Sequence, residues 1–527
     1  MLHFVAVCGD SFANPVGDAD LRPLAEQLGA QLWGLLPGFH RLVFEGGQVL
    51  LTLCVGDVHT LLRQQQFTAD SVFLNLAAYP QADTLHTVKA IARLCRRGST
   101  LAFTHGGSTL QAALTQCGFE TSTPDAMQAI YNPAWQSKKS LPTTRPNIKP
   151  TTCVVIGAGL AGAAVASSLA RRGWAVTVLD AASQPASGAS SLPAGLLVPH
   201  TSPDDSPLSR LSRAGVRITL QQARSYLRHG TDWGHTGVLQ RNLNSDAAHL
   251  PPTWADYATQ AADWCYSASP KTLAASGLPL GSPALWHAQA GWVKPAALVK
   301  AWLAAPGVAW RGDSQVAQLK PLASGWQVLD AAGNLLAQAD VVVLSAGYAS
   351  QALAMAVGAL ARDLAPDLQP IRGQVTYGLQ KDSAPLPPFP INGNGGLIPN
   401  ITTPDGPQWL MGASYERDID QPDIKQQDHA DNLARLQTLL PQAADALADE
   451  FNPKRAQGWA GVRCATPNRL PLVMPLQGAD QIWLCTGMGS RGLSFAALCA
   501  ELLAASLHFE PLPIPLTLAN ALMRQTK

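Results

Sequence analysis

An α/β architecture in two successive parts is what this sequence predicts, and three observations carry that expectation. Between residues 1 and 130, short apolar runs alternate with amphipathic stretches. A basic, proline-rich stretch then interrupts the pattern at residues 136–150. Beyond it, "CVVIGAGLAGAAVASSLARRGWAVTVLD", residues 153–180, reads as strand, glycine turn, helix and strand.

In the first part, "LHFVAV" and "QVLLTLCV" have the apolar, β-branched character of strands, and "DVHTLLRQQ" starts a helix at Asp57. "SVFLNLA" follows as a strand, and "TLHTVKAIARLCRRG" as a helix closed by Gly98. "TLAFTH" and a second helix, "GSTLQAALTQCG", complete the series. Strands alternating with helices imply a parallel, doubly wound sheet. The interruption, "QSKKSLPTTRPNIKP", holds Lys138, Lys139, Arg145 and Lys149, three prolines and no acid. It reads as an extended, solvated linker, with a phosphate-contacting arm as the alternative.

After residue 151 a single large interleaved domain is expected. "GWVKPAALVKAWLAAPG" is helical, with Pro295 where a first-turn proline is tolerated. "GWQVLDAAGNLLAQADVVVLSAG" gives a hairpin and then an apolar strand ending at Gly347. "QPIRGQVTYGL" and "QWLMGASYERD" suit antiparallel strands bordering a pocket. The last helix runs from Gly492 to about Leu507, leaving 516–527 as a tail. The boundaries expected are 1–135, 136–150, 151–515 and 516–527.

Thirty-seven basic against 36 acidic side chains exclude a global electrostatic field for nucleic acid; any such surface is local. The nine cysteines are odd in number and never form C-x-x-C, which favours a reducing compartment and argues against a zinc site. None of the 12 histidines has ligand-like spacing, so no metal is assigned. No apolar run approaches the ~18 residues needed to cross a bilayer. A soluble, cytoplasmic protein without membrane contact is therefore expected.

The glycine turn carries the chemistry. Gly157 permits the tight turn, Gly159 lets backbone approach a pyrophosphate, and Gly162 lets helix pack on strand. The helix then presents its positive N-terminus to phosphate. Asp180, at the end of the following strand, is placed to accept from ribose hydroxyls. An acid without an arginine companion argues against NADP but leaves NAD and FAD open. A second glycine turn, Gly487, Gly489 and Gly492, stands between "QIWLCTG" and a helix, where free N–H groups would meet the electron-rich edge of a flavin.

Taken together, "VVIGAGLAGAAVASSLARRGWAVTVLD", "ADVVVLSAGYAS", "IRGQV", "GVRCATPNRLPLVMP" and "GMGSRGLSFAALCAELLAA" resemble the D-amino-acid oxidase and glycine oxidase type of flavoenzyme. More specifically, "SGASSLPAGLLVP", "GASYERD", "GVRCAT" and "GSRGL" resemble the oxidoreductase half of the MnmC family of bifunctional transfer-RNA wobble-uridine enzymes. That resemblance implies bound FAD and oxidation of the carboxymethylaminomethyl group on C5 of uridine 34, releasing glyoxylate and leaving an aminomethyl group. It implies that Arg463 holds the substrate carboxylate and that Arg491 lies near the flavin. Tyr415 is a pocket or a packing residue, and Arg372 a pocket residue or a structural ion pair. Ser190 and Ser191 are flavin contacts or turn formers. Val316, Gly347, Gly489, Ser490, Gly492 and Leu493 complete the expected cofactor contacts. The alternatives are an amine oxidase for glycine, sarcosine or a D-amino acid, and a full bifunctional enzyme.

"LHFVAVCGD", "LPGFHRLVFEGGQVLLTLCVGDVHTLL" and "IARLCRRGSTLAFTHGG" resemble the later part of the same family's S-adenosylmethionine-dependent methyltransferase half. Met1 falls downstream of where that half's first strand and glycine turn belong. Cys8 stands where the family has a ribose-binding acid, with Asp10 nearby, and Asn75, Leu76 and Ala77 stand where it has an aspartate and an aromatic. Only Gly56 and Asp57 persist. A truncated, catalytically silent Rossmann-like domain is expected, acting as a transfer-RNA docking module through Arg93, Arg96, Arg97 and the linker lysines.

Overall fold

The computed structural model describes residues 1–9, 20–75, 83–104, 107–123, 127–135, 149–243, 250–357, 367–381, 386–452, 454–479 and 481–523. The chain divides into two units, Met1–Lys149 with Ala504–Ala519, and Pro150–Leu503 with Asn520–Lys527.

In the first unit the elements are β1 (Leu2–Cys8), α1 (Arg22–Gly29), β2 (Gly38–Phe44), β3 (Val49–Val55), α2 (Val58–Arg63), β4 (Ala69–Leu74), α3 (Thr84–Ala92), β5 (Cys95–Phe103), α4 (Ser108–Gln116), β6 (Phe119–Thr121) and β7 (Gln128–Tyr131). They form two sheets, β1-β3-β2 and β4-β5-β7-β6. Among the described residues of this unit, only β1 with β3 and β4 with β5 run parallel. The expected wholly parallel sheet is thus corrected. The turn between β2 and β3, Glu45 to Gln48, is far too short for a crossover and forces an antiparallel hairpin. The helices contribute Leu62, Val88, Ile91, Leu110 and Leu114 to the core, and β5 contributes Leu101 and Phe103, which alternate along the strand as a half-buried sheet requires.

Gly98 does not close α3, which ends at Ala92. It lies inside β5 with φ +89, where pairing jumps from Ala69 opposite Cys95 to Ser71 opposite Thr100. A positive-φ glycine here serves a bulge rather than a helix cap. The last residues also differ from the expected tail, since Leu516–Met523 is a helix. Its entry is fixed by Gln64, whose Oε1 accepts from the Thr517 amide at 2.9 Å.

In the second unit, β8 (Thr152–Ile156), α5 (Leu160–Ala170) and β9 (Ala175–Leu179) realise the strand, helix and strand of the fingerprint. The sheet order is Val308–Arg311, β9, β8, Val341–Leu344, Ile482–Thr486, Leu472–Pro475. All neighbours are parallel except the final pair. Val154, Val155, Val342, Val343 and Leu484 are essentially inaccessible, as expected of a parallel sheet covered on both faces. A nine-stranded sheet stands beside it, with Gln369–Leu379 antiparallel to both Gly406–Gly412 and Gln457–Ala465.

Helix α6 (Pro207–Tyr226) locks the helix Gly492–His508 in place. A Cβ at Gly215 would lie 1.7 Å from the Ser494 carbonyl oxygen, so only glycine permits this approach. Thr219 Oγ1 donates to the Leu493 carbonyl at 2.8 Å. From α5, Ser168 Oγ donates to Glu501 at 2.7 Å, and the guanidiniums of Arg171 and Arg172 pair with the same carboxylate. Burial alone would raise the Glu501 carboxyl; Arg172, Arg171 and the hydrogen bonds outweigh it and bring it down to about 2. These contacts aim the N-termini of α5 and of Gly492–His508 at one cavity.

Candidate active site

At the fingerprint turn, Gly157 has φ +108 and donates its amide to the Leu179 carbonyl at 2.8 Å. A Cβ there would stand 2.5 Å from the Ser345 carbonyl oxygen. Asp180 lines the cavity and ties the turn down, its carboxylate accepting from the amides of Ala158 at 2.6 Å and Ala182 at 2.9 Å. Each oxygen keeps a further lone pair for a ligand hydroxyl. Ser190 Oγ accepts from the Leu160 amide at 3.0 Å, whereas the amides of Gly159 and Ala161 have no protein acceptor among the described residues. Both residues line the cavity. Gly162 does not; a Cβ there would lie 1.9 Å from the Gly157 carbonyl oxygen, so this glycine serves helix-on-turn packing.

Gly487 and Gly489 adopt φ +74 and +56 in the second turn. Gly489 donates to the Cys464 carbonyl at 2.7 Å, which leaves the amides of Ser490, Gly492 and Leu493 without a protein acceptor among the described residues. All three residues line the same cavity, at the positive end of a 17-residue helix. Val316, Gly347 and Gly489 also line it. The cavity measures about 1290 Å³.

Arg463 reaches the cavity from the strand Gln457–Ala465. Its Nη2 donates to the Ser414 carbonyl at 2.8 Å, and its guanidinium lies 5.5 Å from the centre of the Tyr415 ring. Gly373 makes the room: a Cβ there would fall 1.6 Å from Nη2. Burial pushes the Arg463 guanidinium down from its ordinary value, with Tyr415 opposing. Arg491 also lines the cavity, and burial and then the charge of Arg469 push it down. No described carboxylate pairs with Arg463 or Arg491. Two half-buried cations on a cavity wall, neither paired with a carboxylate among the described residues, favour an anionic ligand.

Tyr415 is 49% exposed and lines the cavity, so it is not a core-packing residue. Arg372 is fully buried away from the cavity, pairing with Asp428 at 2.7 Å and Glu416 at 2.9 Å; it is the structural ion pair. Ser191 is not in the cavity wall. Its hydroxyl donates to the Gly188 carbonyl and accepts from Trp459 Nε1 at 2.8 Å.

Two lining residues escape sequence reasoning. The Ser345 hydroxyl is buried and unpartnered. Trp459 packs across Gly461, where a Cβ would lie 2.4 Å from the ring. The only signal for Trp459 was that glycine two residues on.

In the first unit, the polar groups expected to face a ligand are engaged by the fold. Asp57 caps α2, accepting from the Thr60 amide at 2.8 Å. Cys8 Sγ donates to the Cys54 carbonyl, and Asn75 accepts from Thr104 Oγ1 at 3.1 Å. Arg93 donates to the carbonyls of Leu62 and Gln65, Arg96 pairs with Asp70, and Arg97 binds Asn132 and the Pro133 carbonyl. Asp10, Leu76, Ala77, Lys138, Lys139 and Arg145 lie outside the described residues.

Comparison with known proteins agrees with this division. The model of the FAD dependent oxidoreductase family matches residues 152–506, and that of an S-adenosyl-L-methionine-dependent methyltransferase family matches residues 19–127. Glycine oxidase from Geobacillus kaustophilus shares the fold at a TM-score of 0.56 and 18% identity, over 71% of this chain and 98% of that one. FAD-bound L-alpha-glycerophosphate oxidase from Mycoplasma pneumoniae does so at 0.54 and 17%, over 69% and 96%. The free amides of both turns and the glycine-only approaches fit FAD, whose pyrophosphate and electron-rich ring edge are the kinds of group that such amides would hold. Relatives from Polaromonas naphthalenivorans and Delftia acidovorans are 52% and 46% identical over 100% and 99% of this chain, and 85% and 86% of their own lengths. Each is named tRNA 5-methylaminomethyl-2-thiouridine biosynthesis bifunctional protein MnmC. The chain belongs to the MnmC family, and its second unit is an FAD-dependent oxidoreductase of the glycine oxidase fold.

Proposed function

We propose that this protein oxidatively removes the carboxymethyl group from 5-carboxymethylaminomethyl-(2-thio)uridine at position 34 of transfer RNA, giving 5-aminomethyl-uridine and glyoxylate. The observation that carries the reading is Arg463, a cavity-wall guanidinium with no carboxylate of its own. The substrate group is a secondary amine bearing a glycine-like carboxylate, and a guanidinium fork matches that carboxylate as a lysine would not. The names of the 46–52% identical relatives supply the transfer-RNA context, and a reaction on transfer RNA implies a cytoplasmic site.

Bound FAD supplies a two-electron acceptor. The protein's task is to orient the methylene between amine and carboxylate, which loses a hydride while the neutral amine loses its proton. Water then adds to the resulting C=N bond, and C–N cleavage yields the primary amine and the aldehyde of glyoxylate. Arg463 fixes the carboxylate end of the substrate. The Tyr415 ring, stacked near that guanidinium, steadies it and borders the entrance. At the other turn, the free amides of Ser490, Gly492 and Leu493 with the helix behind them would favour negative charge on the bound cofactor. Gly157, Gly159, Asp180, Ser190, Val316 and Gly347 would hold the rest of it.

Residues 1–135 we take to be silent as a methyltransferase and to dock transfer RNA, with 136–150 as linker and the oxidoreductase following from 151. Support for silence comes from the spent groups, above all Asp57, whose carboxylate caps α2. Stopped-flow flavin reduction tests the main reading: modified transfer RNA reduces the flavin rapidly, and sarcosine does so slowly or not at all. The reverse order makes the protein an amine oxidase of free small molecules. Micromolar S-adenosylmethionine binding by calorimetry contradicts the silent first domain.

A further inference from the structure

Two arginines, Arg469 and Arg491, sit on two touching turns at one end of a sheet in the second unit. The strand carrying Arg463 ends at Ala465, and the chain turns through residues 466–471 before returning as Leu472–Pro475. Leu472 pairs opposite Thr486, so this turn and the glycine turn 487–491 share one end of the sheet. They are in contact: a Cβ at Gly487 would lie 2.9 Å from Thr466 Cγ2. Thr466 Oγ1 hydrogen-bonds Asn468 Oδ1 at 2.9 Å and the Leu470 carbonyl at 2.6 Å, and the Leu470 amide donates to Asn468 Oδ1 at 3.0 Å.

Within this braced turn Arg469 has φ +62, a left-handed conformation that a side chain disfavours. Its side chain is exposed and has no carboxylate or hydrogen-bond partner among the described residues. Its charge is felt by Arg491, which lines the cavity. Backbone strain and like-charge repulsion are both unfavourable in isolation, and an anion beside these two turns offsets the second. The substrate's carboxylate already has Arg463. A nucleotide whose C5 substituent enters the cavity also brings its own backbone close outside it, and an exposed guanidinium on a turn that touches cavity-lining Gly487 suits a phosphate oxygen there.

We propose that Arg469, with Arg491 behind it, binds a phosphodiester of the RNA strand that delivers the substrate base. This rests on the transfer-RNA reading above. The test compares the unsubstituted protein with Arg469→Ala, Arg469→Glu and Arg469→Lys, each with flavin bound, on modified transfer RNA and on free 5-carboxymethylaminomethyl-uridine nucleoside. With Arg469→Ala, KM for transfer RNA rises about tenfold while kcat changes by less than about twofold, and the slope of log KM against log salt falls by about 0.7. Arg469→Glu raises KM further, Arg469→Lys restores most of it, and nucleoside KM is unchanged in all three. An unchanged transfer-RNA KM and salt slope overturns the proposal, as does an equal rise for nucleoside and transfer RNA. Turnover of the nucleoside but not of transfer RNA by the unsubstituted protein overturns the functional reading itself, and needs no variant to show it.

Discussion

The two units differ in what they do with their polar groups. In the first, Asp57, Asn75, Arg93, Arg96 and Arg97 all find partners within the fold, and the Cys8 thiol is pushed up to about 11 by burial. In the second, the amides of Gly159, Ala161, Ser490, Gly492 and Leu493 and the Ser345 hydroxyl stand at one cavity with no protein partner among the described residues, and the guanidiniums of Arg463 and Arg491 stand there with no carboxylate paired to them. A folded domain advertises a ligand by the polar groups it leaves unsatisfied, because burying them without a partner is costly. Resemblance to a family is shared by both units; what distinguishes the second is that its unpartnered amides, hydroxyl and guanidiniums gather at one cavity.

The largest effect that sharpens this contrast is expected at Gly157. Gly157→Val places a branched side chain at φ +108, against the Ser345 carbonyl, and the purified protein should be colourless and inactive. Retained yellow flavin in that variant means that the turn is not the cofactor's cradle. Next comes Arg463→Ala, which should lower kcat/KM by about 10²–10³-fold while flavin absorbance stays normal. Loss of flavin there would move Arg463 from substrate to cofactor.

Glu501 tests the packing that aims the helix. Glu501→Gln strands Arg171 and Arg172 in a buried site and should cost about 3–5 kcal/mol, read as a lower Tm. Because the carboxyl is held from 4.5 down to about 2, its contribution is full above about pH 4.5 and drains as pH falls toward 2. The unsubstituted protein should therefore lose more stability over that interval than Glu501→Gln. Parallel losses mean that other carboxylates govern acid unfolding.

Smallest is Asp57→Ala, expected to cost about 1 kcal/mol as a lost helix cap, with flavin reduction by transfer RNA unchanged. A fall in affinity for S-adenosylmethionine in that variant would return Asp57 to a ligand-binding role.

Both glycine turns, their helices and the acid at 180 were legible because each glycine answers a local demand for positive φ or close approach. Arg463 was legible through motif position. Its pocket was not: Gly373, which makes space for the guanidinium, is 90 residues away and meets it only through the register of Gln369–Leu379 on Gln457–Ala465. Ser191 misled for a similar reason, since its hydroxyl direction depends on Trp459 across the fold. Gly98 followed a plausible helix and looked like its cap, while a bulge claimed it. The helix Leu516–Met523 spans only eight residues after a proline-rich run, too short for periodicity to mark.

If the second unit removes the carboxymethyl group at the wobble uridine, its substrate must build up where the protein is missing. Nucleoside mass spectrometry of transfer RNA from a strain lacking the gene tests this most directly. Accumulated 5-carboxymethylaminomethyl-uridine is the predicted result; accumulated 5-aminomethyl-uridine would contradict it, because the oxidation would then proceed without this protein.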